Sequence, residues 1–307
     1  MPDETTGDWL ERAGEKAFGP GWLDEDQEPN PEHAHLPLGI PLGIHERVPD
    51  TVYHGRRGVG VISKSALDRV HRSPAHYRAW LEAPSEDTPA LKFGRAFHSA
   101  VLEPDVYERR YAVKPDFGDC RRKENKARRD AWRQANAGLE RIGEDEDERI
   151  RAMMASVYAH PLASKLVTGG SPELTITWRD PETGLYGKSR ADNYIEDHGG
   201  LVVDLKSCQD ASVDEFAKSV ARYRYHVQDA LYRYAFGSVD KPVKHFILVA
   251  VEKEPPYAVG VHTLDTDGIA RGYTAARQDM DMLAHAVRTD TWEAFPHLNT
   301  IELPRWA

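Results

Sequence analysis

Asp192 and the triplet Asp204-Leu205-Lys206 stand on either side of an eleven-residue gap, and their residue types are those of a hydrolytic centre. The segments LYGKSRADNYI and LVVDLKS alternate with period two. That puts Asp192 near the end of one strand and Asp204 at the end of its neighbour. Strand side chains alternate, so Asp204 and Lys206 share a face and two carboxylates converge with one ammonium. In an open α/β sheet such strand ends are where ligands bind. Carboxylates hold a hard divalent cation such as Mg²⁺, which keeps waters and accepts phosphate oxygens. Such a cation lowers the pKa of a bound water and stabilises charge developing on a phosphodiester. The lysine can orient or help deprotonate the attacking water and offset negative charge in the transition state. For a lone Asp-x-Lys, a surface ion pair at the end of a strand would be the better account.

Two further features narrow the choice. His98, in GRAFHSAVLEP, follows the apolar Phe97 and sits at the edge of a buried helix face. Gln228 and Tyr232 are four residues apart and share one face of an expected helix, with Arg224 continuing that face one turn earlier.

These residues need elements to position them. GVGVISKSALDRVHRS predicts an extended entry and a helix opened by a capping box at Ser65 and Asp68. Pro74 begins a second short helix. A third carries Phe93, Phe97, Ala100 and Val101 on one side and is stopped by Pro104. Residues 143–159 are helix-like with an acidic start. From 173 the period changes: strand ELTITW, turn DPETG, strands LYGKSRADNYI and LVVDLKS, then a helix from about Asp214 to Phe236. Strands VKHFILVAVE and YAVGVHTL and a closing helix over 267–288 complete a mixed α/β core. The expected division is an acidic, flexible segment over 1–42 and one domain over 43–307. Within that domain, 43–172 is mainly helical and 173–307 is the α/β core.

The chain of 307 residues has a net charge of −10, which argues against coating nucleic acid by bulk electrostatics. Twelve acidic and three basic residues fall in the first 50, so the acidity belongs to that segment and the body is nearly neutral. Residues 109–133 hold ten Lys/Arg against four Asp/Glu, the one clearly basic stretch and the best candidate for tracking a phosphate backbone. No apolar run approaches membrane-helix length, and the N-terminus lacks the features of a secretion signal. Two cysteines, Cys120 and Cys208, cannot build a four-cysteine cluster, and a reducing cytoplasm is the expected compartment.

Taken together, His98, Asp192, Asp204-x-Lys206 and Gln228-x-x-x-Tyr232, in this order and on these elements, resemble the RecB-like branch of the PD-(D/E)xK nuclease superfamily. Within that branch the chain is similar to the RecE (exonuclease VIII) type nuclease domain of phage recombination systems. ISKSALDRVHRSPAHYRAWL, FGRAFHSAVLEP, WRDPETG, YRYHVQDALY and the terminal LPRWA carry the likeness, from about residue 43 to the end. It implies a restriction-endonuclease-like core, with a central mixed sheet flanked by helices. The implied activity is a 5′→3′ exonuclease on duplex DNA ends, leaving 3′ single strands for a RecT-type annealing protein in a bacterial cytoplasm. His98, Asp192, Asp204 and the Leu205 carbonyl would then be Mg²⁺ ligands, with Mn²⁺ as a substitute and no iron–sulfur cluster. Lys206 would be the catalytic lysine, with Gln228 and Tyr232 shaping the wall of the site. Glu173 stands where relatives carry an acidic residue, its role open between a second metal and DNA. Arg57, Ser63 and Ser65 resemble the 5′-phosphate pocket of lambda-type exonuclease, although a plain N-cap and a solvated arginine pair would read the same. The resemblance also implies a ring-shaped homo-oligomer, a tetramer. An endonuclease or defence nuclease of the same superfamily is the competing reading.

Overall fold

A computed structural model describes residues 41–54, 58–83, 88–295, 298 and 300–303. The acidic segment up to residue 40, Arg57 and the last four residues lie outside the described residues.

Five of the six strands of the main sheet come from the period-two segments. They are β4 (Ser171–Arg179), β5 (Tyr186–Ile195), β6 (Leu201–Cys208), β7 (His245–Glu252) and β8 (Val259–His262); β1 (Gly43–His45) is added at one edge. The sheet order is β1-β4-β5-β6-β7-β8, with β6 and β7 parallel and every other pair antiparallel. It is the expected mixed sheet flanked by helices. The β4–β5 turn is built as Asp-Pro-Glu-Thr-Gly chemistry requires. The Asp180 carboxylate accepts the Thr183 amide at 2.9 Å, and Gly184 takes a φ of 72°.

Each sheet face buries its own core. One face packs α2 (Lys64–Arg72), α3 (Pro74–Glu82), α10 (Tyr225–Gly237) and α11 (Thr266–Thr289) over Ile176, Val202, Phe246 and Leu248. The other packs α4 (Pro89–Leu102), α7 (Glu144–Ala159) and α8 (Ala163–Thr168) over Val203, Leu205, Val249 and Val251. Alternation along β6 therefore sends Val202 and Val203 into different cores. Short helices α1 (Asp50–Tyr53) and α5 (Pro104–Arg110) and the helix α6 (Lys123–Ala135) complete the order. A two-stranded parallel pair, β2 (Tyr111–Lys114) and β3 (Glu140–Gly143), brackets α6. No helix among the described residues is long and apolar enough to cross a membrane.

Three local expectations are corrected. The helix expected over 214–236 is two helices, α9 (Val213–Arg222) and α10, broken where Arg224 adopts a left-handed φ of 55°. Neither Pro nor Gly marks the break. It is held by tertiary ion pairs from the Arg224 guanidinium to Asp279 at 2.5 Å and Asp68 at 3.2 Å, so Arg224 does not extend the Gln228–Tyr232 face. The cap of α2 is Ser63, whose hydroxyl accepts the Ala66 amide at 3.2 Å; Ser65 lies inside the helix, exposed. Asp68 is engaged by Lys64 and Arg224 instead of a capping box. Finally, Asp192 and Asp204 lie within their strands, and the ladder between those strands closes beside them.

Candidate active site

The β5–β6 ladder runs from Ile195–Leu201 to Asn193–Val203 and stops there. At the next position the Asp192 side chain takes over, its Oδ2 accepting the Leu205 amide at 2.7 Å. The strands part at this point, and helices from both faces of the sheet reach the gap. From one face α4 delivers His98, locked in orientation by its neighbours Phe97, Ala100 and Val101 in the core, with Nδ1 3.4 Å from Asp192 Oδ2. From the other, α10 delivers Gln228, whose Nε2 donates to Asp204 Oδ1 at 2.5 Å.

Glu173 joins this cluster through an irregular backbone. Its φ is 52°, left-handed and unusual for a non-glycine residue inside a strand. The β4–β5 register passes from Pro172–Asn193 to Leu174–Ala191 and skips the Glu173–Asp192 pair. Freed from alternation, the Glu173 carboxylate turns toward Asp192. His98, Glu173 and Asp192 each offer a ligand atom, all within 4.8 Å of one another. A residue in such a sparsely populated conformation costs about 1–3 kcal/mol and needs surrounding structure to hold it.

The electrostatics follow from this crowding. Burial and the neighbouring Asp192 push the Glu173 carboxyl up to about 7, against the pull of His98 and Arg190. Burial disfavours a charged His98, but Asp192 beside it outweighs that effect and raises the imidazole above its ordinary value. Two carboxylates and an imidazole form a hard oxygen and nitrogen donor set. This set fits a divalent metal ion.

Asp204 lies on β6, next to Lys206 and against α10. It is 1% exposed, and both oxygens are engaged, Oδ1 by Gln228 and Oδ2 by an ion pair with Lys206. It lies outside the group of three. Leu205 turns its amide toward Asp192. Lys206 stands beside the cluster, its ammonium 5.0 Å above the Tyr225 ring. Burial opposes its charge, yet Asp204 and Asp192 hold its pKa above the usual lysine range. Tyr232 is buried with Gln228 and lines the cleft beside Glu173 and Asp192.

The cluster forms the floor of a cleft of about 1080 Å³. Arg47, Arg95, Arg109, Arg110 and Arg190 line it together with Asp50, Glu103 and Asp105, so the floor is set in an arginine-rich wall of mixed charge. The wall includes residues that no local pattern pointed to. Asp50 bridges Arg110 at 2.6 Å and Arg190 at 2.9 Å, and the Tyr53 ring stacks 4.1 Å from the Arg190 guanidinium. Arg190 Nη1 lies 3.5 Å from Glu173, which links the wall to the cluster. Of the expected 5′-phosphate pocket, Ser63 is an N-cap, Ser65 is exposed and Arg57 lies outside the described residues.

An α/β sheet that opens at an aspartate, with an Asp-x-Lys on the next strand and a Gln-x-x-x-Tyr helix against it, defines a PD-(D/E)xK-type site. Residues 63–295 match the family described as "PDDEXK-like domain of unknown function (DUF3799)", and the chain belongs to that family. Its fold is similar to a crystal structure from Eubacterium rectale named "Putative exonuclease", with a TM-score of 0.56 and 13% identity over 85% of this chain and 96% of that one. A crystal structure of SSO0001 aligns with 62% of this chain and 86% of its own at 15% identity, with a TM-score of only 0.26. No curated protein matches the chain.

Proposed function

We propose that the protein is a Mg²⁺-dependent exonuclease that digests one strand of duplex DNA 5′→3′ from its ends. The observation that carries the nuclease reading is the His98–Glu173–Asp192 cluster with Lys206 beside it, at the floor of an arginine-lined cleft. Membership of the PDDEXK-like family supports nuclease chemistry. The end preference and polarity rest on the likeness of the sequence to RecE-type domains, and so do a RecT-type annealing partner and a ring-shaped homo-oligomer. The structural neighbour's printed name, "Putative exonuclease", accords with attack at ends and says nothing of polarity, partner or assembly.

In this reading His98, Glu173 and Asp192 hold the ion, and a bound divalent cation supplies Lewis-acid activation of water and charge stabilisation at phosphate. The protein's own groups do the rest. Lys206, kept protonated by Asp204 and Asp192, places a fixed positive charge where negative charge builds on the phosphoryl oxygens. Gln228 and Lys206 between them fix Asp204, and Tyr225 beneath Lys206 limits its swing. The arginine wall orients the phosphate backbone over the floor.

Linear duplex labelled at either end, with and without a 5′ phosphate, and a closed circle of the same sequence test the proposal. Loss of 5′ label first, dependence on Mg²⁺ and survival of the circle are expected. Rapid cutting of the circle would reassign the site to an endonuclease, and no Mg²⁺-dependent cutting of either would reject nuclease function.

A further inference from the structure

Helix α6 has no buried residue, although it is 13 residues long. Its partly covered positions are Asn125, Arg129, Trp132 and the following Asn136, a spacing of 4, 3 and 4 that defines one anchored stripe. Trp132 holds the stripe down, edge-on to Phe117 with ring centroids 6.0 Å apart and with Arg141 over its ring. Arg129 is answered by Asp130 at 2.8 Å. Beside that stripe, and about 100° round the helix from Trp132, the N-cap Arg122 falls with Lys126 and Arg133 within about 40° of one another on the helical wheel. All three are exposed, and none has an ion pair within 4.0 Å among the described residues. They form a straight line of positive charge roughly 16 Å long, at 1.5 Å per residue.

The base of this helix belongs to the cleft. β2 begins at Tyr111, directly after the cleft-lining Arg109 and Arg110. On the return, Glu140 at the start of β3 accepts from Arg110 at 2.7 Å and lies 3.5 Å from Arg95, another wall residue. The arm is therefore rooted in the rim of the catalytic cleft at both ends.

We propose that the Arg122–Lys126–Arg133 face of α6 is a docking surface for the phosphate backbone of duplex DNA outside the catalytic cleft. This rests on the nuclease reading and adds the surface that holds the uncut duplex. The occupant follows from charge: a line of three exposed cations, beside which Asp130 is already paired with Arg129, fits a polyanion, and roughly 16 Å of duplex presents about nine phosphates over its two strands. No apolar residue interrupts the line, so a protein partner would find no core to bury. Contacts of this kind carry no sequence preference and set affinity through counterion release.

The test is equilibrium binding of a 40-base-pair duplex in Mg²⁺ as salt is varied, with Asp204→Asn as parent so that the probe survives. Adding R122A/K126A/R133A should lower the steepness of log K against log salt by about 2 to 3. Affinity near physiological salt should fall by about tenfold to a hundredfold. R122K/R133K should restore the slope, because only charge is required. On the otherwise wild-type chain, the triple alanine variant should raise KM and leave kcat in place. An unchanged slope and KM in a variant that binds and cuts DNA would overturn this docking surface and leave the nuclease reading standing. A parent that binds no duplex at all would overturn both.

Discussion

At the level of single residues, the site divides its charges between two tasks. Glu173, Asp192 and His98 gather around a point that suits a cation, while Asp204 is withdrawn and spent on holding Lys206. This division separates two substitutions that look equivalent. Lys206→Ala is expected to slow single-turnover hydrolysis by at least about 100-fold. It also leaves Asp204 buried without its cation, which should cost about 1–3 kcal/mol in urea unfolding. Asp204→Asn should lose comparable activity with a smaller loss of stability, because the Gln228 contact and the volume survive. Digestion at the wild-type rate by either variant would sink the assignment. The residues that could be read in advance, His98, Asp192, Asp204, Lys206, Gln228 and Tyr232, are those whose placement follows from strand alternation or helical spacing. Glu173 could be flagged but not placed, because its approach depends on a left-handed backbone that a period-two reading denies. Asp50, Tyr53 and Arg190 meet only because the segment before α2 folds back across the cleft, and no local pattern encodes that encounter.

Among the elements, the five core strands and the closing helix were legible: β4 to β7 and α11 are long and regularly patterned, and the short β8 lies inside the longer apolar segment YAVGVHTL. The parallel pair β2 and β3 was not, since YAVK and ERIG are four residues each and sit in charged sequence. The break at Arg224 was invisible for a related reason: its cause lies in Asp68 and Asp279, far along the chain. That break aims α10 at Asp204, and the close fit of α10 to α11 keeps it there. A Cβ added at Gly272 would come within 2.1 Å of the His226 carbonyl, so the two helices must separate to admit it. Gly272→Ala should therefore destabilise the protein by about 2 kcal/mol or more. As Gln228 withdraws from Asp204, kcat should fall more than KM rises; wild-type thermal unfolding and kcat would contradict this. The β4–β5 turn is tied to the same helices by Asp180, which accepts from Tyr234 at 2.6 Å and pairs with Arg277 at 3.1 Å. Burial raises the Asp180 pKa, but Arg277, Thr183 and Tyr234 together bring it below the ordinary carboxylate value. A depressed folded-state pKa adds stability above the unfolded value near 3.9 and loses it as pH falls through the folded one. Asp180→Asn should accordingly cost about 3 kcal/mol at neutral pH. Its stability should then decline less steeply than wild type below about pH 4. Parallel acid-unfolding curves would rule out this role.

For the whole molecule, the net charge of −10 conceals a local arrangement: five arginines around an acidic cluster in one cleft, with a basic arm at its rim. Removing residues 1–36, where the acidity is concentrated, should leave the digestion rate near wild type, as a time course on linear duplex would reveal; a large loss would give that segment a place in catalysis. The outer strands of the main sheet bear on how copies of the chain can associate. β1 is three residues long and β8 four, against eight to ten for the strands between them. Margins this short offer few unpaired amides and carbonyls to a neighbouring chain, a common guard against uncontrolled stacking of sheets. A closed ring of subunits would thus have to be joined through helical faces and loops, and the sheet itself would end within each subunit.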